Sequence, residues 1–191
     1  QLADARQKLR DSINNYYTTT SQYTQLRQQA VDSIKNVKNQ YLAAKACFDN
    51  KVGSMTQLIL SMDEITYARN VMASIDTVIA TKIVPLENIY QVKMTDANNR
   101  IATIQNLLHD TDNATTTDAM QKISSKFATA IQGGSNDQGA PGAIPAISTQ
   151  VDIITAQNDL EDLTGQLQPL ITEVSRYQQA CNAFPELIAI P

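Results

Sequence analysis

From Leu2 to Phe48 an apolar or small side chain recurs every three or four residues, with Thr20 filling the one gap. The series runs Leu2, Ala5, Leu9, Ile13, Tyr16, Tyr23, Leu26, Ala30, Ile34, Val37, Tyr41, Ala44 and Phe48, and neither Pro nor Gly interrupts it before Gly53. Such spacing places all of these side chains on one face of an α-helix. The helix it predicts is about 45 residues and ~70 Å long at 1.5 Å per residue. A chain of 191 residues cannot enclose a helix of that length in a ball; it must supply partner helices of comparable reach. The expectation is an all-α, elongated, up-and-down helical bundle with coiled-coil-like seams. The tract YYTTTSQY at 16–23 is its weak point, because consecutive β-branched and hydroxyl residues lower helix propensity.

The remaining sequence supplies the partners. DNKVGS at 49–54 predicts a turn, with Gly53 free to go left-handed and Ser54 as the next N-cap. A second helix carries Met55, Leu58, Met62, Ile65, Val71 or Met72, Ile75 and Val78 toward a seam. Pro85 either ends that helix or kinks a continuous one, and Leu86, Ile89, Val92, Ile101, Ile104 and Leu108 extend the apolar face. HDTDNATTTD at 109–118 reads as a polar loop, followed by a short helix with Met120, Ile123, Phe127 and Ile131 on one side. Thr149, with Asp152 three residues on, is a plausible capping pair for a last helix. Its seam is expected to be Val151, Ile154, Leu160, Leu163, Leu167, Leu170, Val174, Tyr177 and Cys181, with Pro169 as a kink. The sum is three long helices and one shorter helix in a single domain, 1–191, with a Gly/Pro-rich loop at 133–148.

Composition narrows the function. Charged residues are only 18% of the chain and the net charge is −4, with no run of Lys and Arg of the kind that displaces counterions from a nucleic acid. Nucleic acid is therefore not an expected partner. No apolar run approaches the ~20 residues needed to span a bilayer, which leaves only peripheral membrane contact open. His109 is the sole histidine, so the usual catalytic triads and the E-x-x-H pairs of carboxylate-bridged metal bundles are missing. D-x-D-N at 110–113 opens like a calcium loop, but Thr115 and Gln121 stand where such a loop needs Gly and Glu. No cofactor and no catalytic residue is expected, and Asn113-Ala114-Thr115 is a glycosylation sequon of the sort chance supplies in a chain rich in Asn, Ser and Thr.

Two features remain. Cys47 and Cys181 each lie near the end of a long helical pattern, in the similar contexts Ala-Cys-Phe and Ala-Cys-Asn-Ala-Phe. Bonded, they would tie the ends of the first and last helices together, closing a loop worth about 5 kcal/mol in the chain-entropy account and implying maturation outside the reducing cytosol. The alternative is two buried free thiols. The segment GGSNDQGAPGAIPAI, 133–147, has no phosphate-loop signature. Its isoleucines either pack across one end of the bundle or are offered to a partner, and Gly139, Pro141, Ile144, Pro145 and Ile147 form the candidate contact loop. The chain begins with Gln1, which fits removal of an upstream segment such as a signal peptide. Together these point to an exported, non-catalytic structural or interaction protein that assembles with itself or with other proteins, for example a surface, adhesin or secretion-apparatus subunit. The expected location is secreted, periplasmic or cell-surface. A periplasmic small-ligand sensor bundle is the alternative, and a membrane-active or lipid-carrying helical protein the second.

Overall fold

A computed structural model describes residues 1–53, 60–132 and 147–185. The protein is a helical bundle, and the described residues contain no strand. Its elements are α1 (Leu2–Gly53), α2 (Met62–Val78), a π turn (Ile79–Ile83), α3 (Val84–Asn113), α4 (Thr117–Gln132) and α5 (Gln150–Ala183). The chain divides into two compact units. The first comprises Gln1–Gln29 with Val92–Leu160, and the second Ala30–Gln91 with Glu161–Pro191. Helices α1, α3 and α5 contribute segments to both.

Helix α1 follows its heptads closely. Ile13, Thr20, Tyr23, Ala30, Ile34, Val37, Tyr41, Ala44 and Phe48 are all buried, and the 16–23 tract stays helical. In that tract Thr18 and Thr19 turn their hydroxyls back onto the carbonyls of Asn14 and Asn15. Ser12 does the same elsewhere on α1, and Ser74, Thr77, Thr103 and Thr155 on other helices. Each of these hydroxyls is satisfied locally, by a carbonyl of its own helix one turn back.

Several expectations are corrected. Residues 49–53 continue α1 instead of turning, and Gly53 is helical; Ser54, Met55 and Leu58 lie outside the described residues. The second helix starts at Met62 on a capping box, in which Ser61 accepts from the Glu64 amide and Glu64 accepts from that of Ser61. Met62, expected in the seam, is 73% exposed. Helix α3 persists to Asn113, so the polar loop shrinks to residues 114–116.

Pro85 neither ends nor breaks the helix. The π turn precedes it, with the Val84 amide donating to the Ile79 carbonyl five residues back. The wider turn relieves the proline ring, which lacks an N–H and would press on the carbonyl four residues before it. The buried face of α3 is Tyr90, Ala97, Arg100, Ile104 and Leu107, whereas Ile89 and Val92, expected in the seam, are exposed. The start of α5 is shifted likewise: Ile153 and Ala156 are buried, and Val151 and Ile154 are exposed. The Thr149–Asp152 cap forms as expected, the Thr149 amide donating to Asp152 Oδ2 at 2.7 Å.

Within the first unit, α3 runs antiparallel to α1 and α5, as the pairs Arg10–Asp112 and Tyr23–Asp96, then Lys93–Asp159 and Arg100–Asp152, require. Helix α4 lays Met120, Ile123 and Phe127 against Ile13, Ile104, Leu107 and Ile147, with Tyr16 and Phe127 edge to face at 5.5 Å. Within the second unit, α1 and α5 run in the same direction, and the Tyr41 hydroxyl donates to the Leu170 carbonyl at 2.7 Å.

Candidate functional site

Three places concentrate chemistry beyond plain helix packing. The first is the end of the second unit where α1 and α5 finish. Phe48 and Cys181 follow the seam spacing of their helices, so both face the same core. Cys47 and Cys181 meet there at disulfide distance, Sγ to Sγ 2.01 Å with Cα atoms 6.3 Å apart. Phe48, Tyr67 and Phe184 enclose the pair, with Tyr67 and Phe184 stacked at 6.1 Å. Lys51 donates to the carbonyls of Cys181 and Phe184, satisfying orphan acceptors at the end of α5 and placing a cation where the helix dipole favours one.

The second is a charged layer inside the first unit. Arg27 and Arg100 are each 5% exposed, and their guanidinium carbons sit 4.9 and 4.6 Å from the centre of the Tyr23 ring, two cation–π contacts on one ring. Arg27 donates to Asp159 at 2.7 Å and to the Tyr23 hydroxyl at 3.3 Å, and that hydroxyl donates to Asp96 at 3.0 Å. Lys93 reaches Asp159 at 3.1 Å. Arg100 pairs with Asp152 at 3.3 Å and donates to the Ser148 hydroxyl, while the Ser148 amide donates to Thr20. Arg100 Nε stands 2.9 Å from Asp96 Oδ2 but off hydrogen-bond alignment, and Arg27 Nε has no acceptor among the described residues. Burial pushes the Tyr23 phenol up, with the neighbouring guanidiniums acting against it. Burial would also raise Asp159, but hydrogen bonds from Arg27 and Lys93 hold its carboxyl below the usual range. The layer holds three cations and three carboxylates, all spent on one another.

The third is a groove of about 350 Å3 between α1 and α3 of the second unit. Val31, Ile34 and Leu42 form its apolar part, and Lys35, Asn39, Tyr90 and Gln91 its polar part. Lys38 and Glu87 bridge the two helices beside it at 2.9 Å.

Of the residues singled out from sequence, Cys47 and Cys181 are brought together. Ile147 is fully buried among Ile13, Ile104 and Phe127, as the alternative of packing across the bundle requires. Gly139, Pro141, Ile144 and Pro145 lie outside the described residues. Sequence reasoning missed Arg27 and Arg100, because polar residues at seam positions do not register in an apolar count. The signal was there: both continue a 3–4 spacing, Arg27 four residues after Tyr23 and Arg100 three after Ala97. Among the described residues no group of His, Cys, Asp and Glu is arranged to hold a metal ion, and no helix is long and apolar enough to cross a membrane. No protein family, curated protein or solved structure matches the chain.

Proposed function

We propose that this protein is an exported, non-catalytic helical-bundle subunit that assembles with copies of itself or with other proteins. The observation that carries the reading is the Cys47–Cys181 pair at disulfide distance, enclosed by aromatic side chains and braced by Lys51. A cross-link between residues 134 positions apart persists in oxidising compartments and is rare in a reducing cytosol. The charged layer supports the non-catalytic part, since its ionisable groups neutralise one another and its two guanidiniums are buried, where a general acid or base must reach a substrate. Intact-mass measurement of protein from its native source, alkylated with and without reduction, tests the export reading. Two protected thiols support it and two free thiols remove it. Cross-linking of the native source followed by size analysis tests the assembly reading, which a solely monomeric product would sink.

The second reading, a small-ligand sensor bundle, is favoured by the groove. Its volume lies at the lower end of ligand sites, and its mix of an apolar wall with a few polar groups is what such sites use. A thermal-shift screen of small amphipathic acids against the Lys35→Glu variant as control addresses it; equal shifts in both proteins would discard this groove.

A further inference from the structure

The charged layer of the first unit contains two cations that no accessible pH neutralises, Arg27 and Arg100, and three carboxylates that acid does neutralise. We propose that the first unit is an acid-triggered element: protonation of Asp96, Asp152 and Asp159 opens it while the second unit remains folded.

The groups that face one another across the layer are Tyr23 and Arg27 from α1, Lys93, Asp96 and Arg100 from α3, and Asp152 and Asp159 from α5. At neutral pH they sum to zero, three positive and three negative, with Tyr23 uncharged. Protonating the carboxylates leaves three positive charges in a seam where both guanidiniums are 5% exposed. A buried charge deprived of its partner is strongly unfavourable, more so than the intact pair was ever favourable. The Tyr23 ring contacts both guanidiniums but carries no charge to offset them. Opening the helices to water is the remaining relief, and it uncovers the apolar seam of Ile13, Ile104, Phe127 and Ile147.

Among the described residues of the second unit no Lys, Arg, Asp or Glu is buried. Its pairs Lys38–Glu87 and Lys45–Asp76 have side chains 29–55% exposed, so water solvates the lysines once the carboxylates are lost. The Cys47–Cys181 cross-link is indifferent to acid. Local units of a protein open independently when their stabilities differ, and here acid acts on one of them.

Hydrogen exchange read by mass spectrometry on the full, oxidised chain, corrected for intrinsic rates and stepped from about pH 7 to about pH 2, through and below the carboxylate range, tests the proposal. Peptides from 1–29, 92–132 and 147–160 are expected to lose protection at least tenfold, while those from 30–53, 60–91 and 161–185 retain it. The Arg27→Met/Arg100→Met double variant, which removes the buried cations, should keep the first unit protected at the acid end. If that variant does not fold, the Asp96→Asn/Asp152→Asn/Asp159→Asn triple variant should open the first unit alone at neutral pH. Loss of both units at one pH overturns the proposal, as does a first unit that stays protected in acid. An acid transition unchanged in the double variant, or a triple variant with the first unit intact, overturns it equally.

Discussion

Arg27 occupies a seam position where a coiled coil would ordinarily place Leu or Ile, and the chain answers by delivering Asp159 from α5 at 2.7 Å. The same carboxylate accepts from Lys93, so one side chain serves two cations on two other helices. Replacing it leaves Arg27 buried without its strongest partner. Asp159→Asn is expected to destabilise the protein by about 2 kcal/mol in urea denaturation, below the roughly 3–5 kcal/mol of a fully buried pair because Asp159 retains some contact with water. Lys93→Met, removing a more exposed partner, should cost under about 1 kcal/mol. The pH dependence follows from the depressed Asp159 carboxyl. Its contribution is complete above the ordinary carboxylate value near ~3.9 and disappears as pH falls through the lower folded value. The gap between wild type and Asp159→Asn should therefore close in acid, and a gap unchanged down to about pH 2 would mean the carboxylate is not the source of the difference. Gly165 presents the opposite case. It lies inside α5 with open space where a Cβ would stand, so Gly165→Ala should add about 0.5–1 kcal/mol by restricting the unfolded chain and favouring the helix. A lower melting temperature for that variant would count against the described surroundings of α5.

At the scale of elements, the π turn and Pro85 form one device. The turn adds a residue to the helix just before a ring that cannot donate a hydrogen bond, and it hands the downstream helix over with Tyr90 and Ala97 facing inward. Deleting Ala80, an exposed residue of the turn, would convert it to ordinary α-helix and bring the proline ring against the preceding carbonyl, a conflict of about 3 kcal/mol. The single deletion is expected to lower stability by about that amount. Combined with Pro85→Ala it should recover most of the loss, and a double-mutant cycle with no coupling would separate the two features. This device also marks where the sequence was legible and where it was not. Helix α1 could be read almost residue by residue, because its buried positions are mostly Ile, Val, Tyr, Phe and Ala, with Thr20 and the missed Arg27 as the polar exceptions. Helices α3 and α5 could be found but not phased near residues 89–101 and 151–156. Their inward positions there include Ala97, Arg100 and Ala156, small or charged, beside Tyr90 and Ile153, while Ile89, Val92, Val151 and Ile154 face outward. An apolar count selects the larger aliphatic side chains and so mis-phases both helices there, and the π turn before α3, with residues IATKI, looks like any other helix in sequence.

At the scale of the molecule, the two units are held by different physics. The first relies on a charged layer and on the α4 packing, both sensitive to solvent conditions. The second closes on a covalent link, with Phe48, Tyr67 and Phe184 packed around it. A cross-link acts chiefly by limiting the unfolded chain, and one that joins residues 134 positions apart is worth up to about 5 kcal/mol by that account. Removing it should lower stability without rearranging the helices, because Phe48, Ala68 and Phe184 still share their core and Lys51 still caps α5. The Cys47→Ala/Cys181→Ala variant is expected to keep its helical circular dichroism at neutral pH while losing about 3–5 kcal/mol in urea. Because cross-links constrain the loop they close, and that loop runs from α1 through α5, the loss should appear in both units and not in the second alone. Hydrogen exchange under mild urea distinguishes the outcomes. A fall in protection confined to 161–185 would mean that the link only pins the end of α5, and that Phe48, Tyr67 and Phe184 carry the stability assigned here to the cross-link.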